Sequence, residues 1–209
     1  MSKKKIIGLC IAGVLAVGSI GGSLAWFTSK DSISSPFITA STNDLSNPDS
    51  GIEVVDKFNE NKAKNRVPGD EVPKQVYIIN TATYNQLVRV KIKKVWKDAK
   101  GIENDKLSTE AIELNFKSNL TDANKAEAGK WIEGSDGYYY YNGVISPDAK
   151  TSNLLESVTL SDKMTNEFRG LGFEVTIDSE GIQAANGAVS DSWKDAPQVI
   201  KNLGGELKK

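Results

Sequence analysis

Residues 87–93 read Leu-Val-Arg-Val-Lys-Ile-Lys, the clearest alternation of apolar and basic side chains in the chain. Successive side chains of an extended chain point to opposite faces, so the apolar residues Val88, Val90 and Ile92 would share one face and the basic residues the other. The pattern predicts a strand over residues 87–96, with one face against a core and the other in water. This is typical of an antiparallel sheet that is solvated on one side.

Similar short segments lie on both sides of this strand. We predict further strands at residues 52–58, 75–80, 112–116, 154–160 and 173–182. A Val-Pro-Gly-Asp turn at 67–70 precedes the second of them, and an Ala-rich stretch at 122–129 has room for one helical turn. About seven to nine short strands with few helices predict an all-β fold, a jelly-roll-like β-sandwich with long polar loops.

A tyrosine-rich hairpin is predicted in the middle of the chain. Trp131 and Ile132 lie before the turn sequence Gly-Ser-Asp-Gly at 134–137, and four tyrosines follow it. The aromatic residues are a candidate contact surface for a sugar or a protein partner: Trp131, Tyr138, Tyr139, Tyr140 and Tyr141. The alternative is that two tyrosines pack inward and two cover the sheet, and we prefer it.

The N-terminal segment has the layout of a secretory signal peptide. Lysines at positions 3–5 precede an apolar run at 6–20, and small residues at Ser23 and Ala25 predict cleavage before Trp26. A retained membrane anchor over residues 6–27 is the alternative. Because the only cysteine, Cys10, lies in this segment, the mature chain would hold no disulfide. Export without disulfides suggests a Gram-positive bacterium, with the protein secreted to its surface or matrix.

Residues 26–40 read as an extended arm without a helical period. Its aromatic and aliphatic residues Trp26, Phe27, Ile33 and Phe37 are suitable anchors for strand pairing, and Lys30 is its one lysine. Either the arm pairs with another subunit, or it completes the sheet of its own subunit or forms a loose terminus.

The composition excludes several classes of function. The chain has no histidine and a net charge of −1, and a leader with three lysines and no acids would leave the mature chain more acidic. A histidine-based zinc site, a Ser-His-Asp triad and a cysteine nucleophile are therefore excluded, and we expect no enzyme activity, metal or cofactor. An acidic chain gives no reason to expect a nucleic-acid partner.

A self-formed amide between a lysine and an asparagine needs a buried lysine beside an acid. Lys91 and Lys93 lie near Asn80 and Asn85 in sequence, but alternation places both lysines on the wet face, which argues against such a bond. A link between subunits through Lys30 stays open.

Seven segments together resemble the TasA and camelysin family, and most closely its clostridial biofilm-pilin (BsaA-like) branch. They are Gly-Gly-Ser-Leu-Ala-Trp-Phe-Thr at 21–28, Val-Pro-Gly-Asp at 67–70, Val-Tyr-Ile-Ile-Asn at 76–80, Leu-Val-Arg-Val-Lys-Ile at 87–92, Asp-Gly-Tyr-Tyr-Tyr-Tyr-Asn at 136–142, Leu-Glu-Ser-Val-Thr-Leu at 155–160 and Phe-Glu-Val-Thr-Ile at 173–177. The resemblance implies cleavage by a SipW-type signal peptidase. It also implies a secreted jelly-roll subunit that forms a homopolymer by donor strand complementation, with accessory fibre subunits left open.

These observations predict three parts of the chain: a signal peptide at 1–25, a donor arm at 26–40, and one β-sandwich domain at 41–209. The stretch from 185 onwards has no clear period and is expected to be weakly structured. The expected function is a structural subunit of biofilm matrix fibres, with membrane contact only through the uncleaved leader. The alternative is a monomeric adhesin-like module that uses the tyrosine hairpin.

Overall fold

The strands form two antiparallel sheets. A computed structural model describes the backbone of residues 28–36 and the whole of residues 51–58, 67–98, 100–168 and 170–205. Within these residues, the six-stranded sheet has the order β1 (Thr28–Pro36), β10 (Gly172–Gln183), β4 (Gln86–Lys97), β8 (Tyr138–Tyr141) and β7 (Trp131–Glu133), with β5 (Glu103–Asn104) on β4. The four-stranded sheet has the order β2 (Ile52–Phe58), β3 (Glu71–Asn80), β9 (Leu155–Leu160) and β6 (Ile112–Asn115).

The two sheets pack face to face, and the predicted all-β sandwich is confirmed. Along the strands of the described residues, the chain crosses between the two sheets six times: from β1 to β2, β3 to β4, β5 to β6, β6 to β7, β8 to β9 and β9 to β10. All the strands predicted from alternation are present, with shifts of a few residues at their ends. Short 3₁₀ turns lie at Thr109–Ala111, Ala123–Lys125 and Asn166–Phe168, and the second falls in the Ala-rich stretch.

The alternation predicted for β4 is confirmed at most positions. Val88 and Val90 are fully buried between the sheets, and Lys91 and Lys93 are exposed. Arg89 differs, because only 14% of its side chain is exposed. The expectation that this whole face meets water was wrong at the Arg89 end of the strand.

Two short helices, α1 (Ala188–Ser192) and α2 (Gln198–Leu203), cover that end of the six-stranded sheet. They close a second apolar cluster on the outer face, made of Leu87, Ile132, Tyr140, Ile182, Ala188, Val189, Trp193, Ala196 and Ile200. The expectation of a weakly structured C-terminal stretch is corrected for residues up to 205. Its few apolar residues become buried because the sheet offers a second apolar face.

None of the helices in the described part of the chain has the length and apolar character needed to span a bilayer. The proposed leader and its cleavage residues Ser23, Ala25 and Trp26 lie outside the described residues, as do Phe27 and Phe37 of the arm. The statements about these residues stay predictions.

Candidate functional site

The candidate site is the edge of the six-stranded sheet where β1 lies on β10. The two strands pair antiparallel without a bulge over nine residues, from Thr28 opposite Ile182 to Pro36 opposite Glu174. Strand β1 ends the strand order of its sheet, so its own outer edge pairs with no other strand in the described residues. The arm thus lies on its own subunit's sheet, the pairing that the sequence left open beside donation.

The register divides β1 between the two faces of the sheet. Paired residues of neighbouring strands share a face. Ile33 is therefore placed on the core face with Ile177, which is fully buried. The other residues of β1 on that face are polar, namely Ser29, Asp31 and Ser35. The nine-residue backbone ladder is therefore the described attachment of β1 to its sheet.

The inner side of this edge is built around a glycine. A side chain at Gly181 would bring its Cβ into overlap with Gln86 Oε1 and within 2.9 Å of Ile52 Cγ2. Gln86 cannot move aside freely, because its Nε2 donates to Gly51 O at 2.7 Å and to Asn80 Oδ1 at 3.0 Å. A side chain at this point of β10 would force its neighbours to shift, so the packing favours glycine here.

An ion pair between Arg89 and Glu180 lies on the outer side of the edge. The Glu180 carboxylate accepts hydrogen bonds from Arg89 Nε at 3.0 Å and Nη2 at 2.7 Å, and the backbone of Lys30 is the register partner of Glu180. The Arg89 guanidinium lies 3.9 Å from the centre of the Tyr138 ring and 4.9 Å from that of Trp193. These contacts tie the receiving strand β10 to the hairpin and to the C-terminal helices.

The tyrosine hairpin forms as predicted, with β7 and β8 antiparallel and Gly137 at a φ of 78° in the turn. Trp131 and Tyr140 are fully buried and so are not surface contacts. Tyr139 and Tyr141 pack against the core between the sheets, and Tyr138 and Tyr140 lie in the cluster under the helices. Tyr138, Tyr139 and Tyr141 are half-buried, and their use as a contact surface stays a prediction.

Two tyrosine hydroxyls on this hairpin have raised pKa values. Burial raises the pKa of Tyr139 to about 12, with a further contribution from the Glu133 carboxylate that its hydroxyl contacts. Burial also raises the pKa of Tyr140, whose hydroxyl donates to Asp136 Oδ2 at 2.6 Å and accepts from Arg89 Nη1 at 3.2 Å. Both side chains are neutral structural groups at ordinary pH.

The lysines considered for an amide crosslink do not meet asparagine. Lys93 Nζ lies 3.3 Å from Glu103 Oε2 in an exposed pair. Asn80 is buried, and its amide nitrogen donates to the carbonyls of Tyr84 and Ile145 at 2.8 Å each. These hydrogen bonds hold Asn80 in the turn after β3. An amide crosslink from Lys91 or Lys93 to this asparagine is therefore not supported.

Sequence reasoning missed a buried lysine elsewhere. Lys74 of β3 is fully buried, and its Nζ donates to the carboxylate of Asp56 on β2, whose side chain is 1% exposed. The sequence did contain a signal for this burial. Lys74 belongs to the same set of alternate positions as Val72, Val76 and Ile78, which are the inward residues of β3.

Among the described residues, no three His, Cys, Asp or Glu side chains lie close enough to hold a metal ion. Comparison of the chain with protein-family models, with curated proteins and with solved structures finds no match.

Proposed function

We propose that this chain is a secreted structural subunit that polymerises into extracellular biofilm matrix fibres. After cleavage of the leader, each subunit donates the strand β1 to the β10 edge of the next subunit. The proposed place of action is the surface or matrix of a Gram-positive bacterium. No catalytic residue, metal or cofactor takes part in this function.

The observation that carries the proposal is the pairing of β1 with β10 at the end of the six-stranded sheet. Without β1, the backbone of the twelve-residue strand β10 would present an unpaired edge, which is a ready site for a strand from another chain. A β1 strand from a neighbouring subunit makes the same ladder in the same register. The backbone hydrogen bonds that form in the fibre therefore replace those that break in the free subunit, as in domain swapping.

The composition of β1 supports exchange rather than permanent attachment. Ile33 is the one large apolar residue in the sequence of β1, so the strand depends mainly on its backbone ladder, which a second subunit can form equally well. Residues 37–51 connect β1 to β2. Fully extended, a segment of this length spans up to about 50 Å, enough for β1 to reach an adjacent subunit.

The leader controls where polymerisation can begin. Before cleavage, β1 begins only a few residues after the apolar segment at 6–20, so the arm stays beside the membrane. Cleavage by a SipW-type peptidase before Trp26 frees the arm. Polymerisation is then confined to the outside of the cell.

Negative-stain electron microscopy and sedimentation velocity test the proposal on the purified mature chain. We expect filaments from the mature chain and a folded monomer from a variant that lacks residues 26–40. Filaments from the shortened variant would refute donation by the arm, and a mature chain that stays monomeric at high concentration would refute the fibre function.

A pair of single substitutions refines this test. Ile33→Asp replaces the one large apolar residue of β1, at the register position opposite the fully buried Ile177, with a charged one and should weaken assembly. Ser34→Asp is the matched control, since Ser34 is opposite Thr176 on the outer face. Equal loss of filaments in both variants would contradict the proposed register.

A further inference from the structure

The contact between Lys74 and Asp56 is a buried pair that the fibre proposal does not use. Lys74 lies on the inward face of β3 between Val72 and Val76 and is fully buried. Its Nζ is in direct contact with the Asp56 carboxylate, and the two side chains are 0% and 1% exposed. An amine and a carboxyl group are thus held together inside the sandwich, away from water.

The strand register explains why the two groups meet. Phe58 of β2 is opposite Lys74, and Asp56 is opposite Val76. Lys74 and Asp56 are therefore diagonal neighbours on one face, a distance of about 7–8 Å between backbones that a lysine side chain spans readily. The rigid ladder keeps the lysine nitrogen against the carboxyl group.

The surroundings of Lys74 favour its neutral amine. Lys74 Nζ lies 5.3 Å from the centre of the Phe58 ring, and the neighbouring inward residues belong to the apolar core. Burial lowers the pKa of Lys74, although the charges of Asp56 and Glu174 act in the opposite direction. Transfer of one proton from the ammonium to the carboxylate removes two buried charges, whose desolvation is costly.

We propose that Lys74 and Asp56 join in an intramolecular amide bond between Nζ and Cγ. The proton transfer leaves a neutral amine and a carboxylic acid. The nitrogen lone pair attacks Cγ, a new C–N bond forms, one C–O bond breaks, and the oxygen leaves with two protons as water. The ion pair becomes an amide and one water, so the step needs no oxidant, reductant or second substrate.

Two physical factors drive this reaction in the folded protein. Well-oriented groups held in contact react as if at an effective concentration that reaches about 10⁵–10⁸ M, which lowers the barrier to attack of the amine on the carboxyl group. The dry site also withholds the water that would hydrolyse the amide. The bond would lock the edge strand β2 to β3 just before residues 59–66, and it forms within one subunit whether or not the chain assembles.

A tryptic peptide map of the purified, denatured full chain tests the proposal by mass spectrometry. Trypsin does not cleave after an acylated lysine, so we expect peptide 31–57 joined to peptide 67–89, with a mass one water below their sum. Recovery of free 31–57 and free 67–74 in full yield would overturn the proposal. This result comes from the unaltered chain and is not affected by whether a variant folds.

Three variants locate the bond. Lys74→Arg keeps the positive charge but lacks the nucleophilic amine, and Asp56→Ala lacks the carboxyl group, so both should give separate peptides. Lys57→Arg changes the adjacent exposed lysine of β2 and should keep the joined peptide. A joined peptide that persists in Lys74→Arg, or one that disappears in Lys57→Arg, would overturn the assignment to Lys74.

Discussion

Trp193 lies between the two C-terminal helices and packs against the six-stranded sheet, so its truncation tests the role of these helices. The side chain is 3% exposed, and its ring stands edge-on to Tyr140 with 5.9 Å between ring centres. The Arg89 guanidinium lies 4.9 Å from the ring centre. Trp193→Ala would therefore remove an aromatic contact, a cation–π contact and a large buried side chain of the second apolar cluster.

The expected loss follows from this burial. Truncating a buried large aromatic residue to alanine costs about 3–5 kcal/mol, and the edge-to-face pair and the cation favour the upper half of that range. With an m-value of about 2 kcal/mol per molar urea, a loss of about 4 kcal/mol lowers the unfolding midpoint by about 2 M. This is a large part of the stability of a typical domain.

Far-UV circular dichroism is the appropriate assay, because the substitution removes a fluorescent reporter. Trp193→Phe keeps a ring against Tyr140 and should lose less stability. Lys194→Ala is the matched control, since Lys194 is exposed on the same segment and should change the free energy of unfolding by no more than about 0.5 kcal/mol. A Trp193→Ala variant as stable as that control would refute the second apolar cluster.

Three further predictions concern the receiving edge and the hairpin. Gly181→Ala should lower the free energy of unfolding by about 1–3 kcal/mol in urea titrations, because the new methyl group overlaps Gln86; an unchanged midpoint would contradict the close packing described there. Tyr140→Phe removes the hydrogen bonds to Asp136 and Arg89 and should cost about 1–2 kcal/mol in the same assay, whereas a neutral effect would show that the hydroxyl is dispensable. Because the pKa of Tyr139 is raised from 10.0 to about 12, its contribution to stability is complete below pH 10 and is lost as the pH rises towards 12. Midpoints measured across this pH range should fall less for Tyr139→Phe than for the unaltered chain, and parallel curves would contradict the pKa.

The strands were predictable because each buries one face, so apolar and polar residues alternate along its sequence. Residues 87–96 and 173–182 appear within one or two residues of β4 and β10. The helices were missed although Val189, Trp193, Ala196 and Ile200 follow a helical spacing of four, three and four residues. Pro197 interrupts that period, and each helix is too short to show it alone.

The candidate site was predictable only in part. The sequence identified residues 26–40 as an extended arm, but the partner strand and the register of Ile33 with Ile177 depend on tertiary structure. Lys74 was passed over because lysine is almost never buried without a partner, and its partner Asp56 comes from another strand. Contacts between distant strands leave no local pattern.

Disulfide trapping between chains tests most directly whether β1 is donated. Ser34 of β1 and Thr176 of β10 are register partners, so cysteines at these positions lie within disulfide range. The test uses the mature chain from Trp26, which has no cysteine of its own; one chain carries Ser34→Cys and the other Thr176→Cys, and the two are refolded together and oxidised. The matched control pairs Ser34→Cys with a cysteine at the exposed position Ser146.

Donation predicts disulfide-linked dimers of the two singly substituted chains, and none in the control mixture. A chain that carries both cysteines should form linked ladders on a non-reducing gel as it assembles. If the doubly substituted chain closes only its own disulfide and the mixed chains stay unlinked, β1 remains on its own subunit, and strand donation is contradicted.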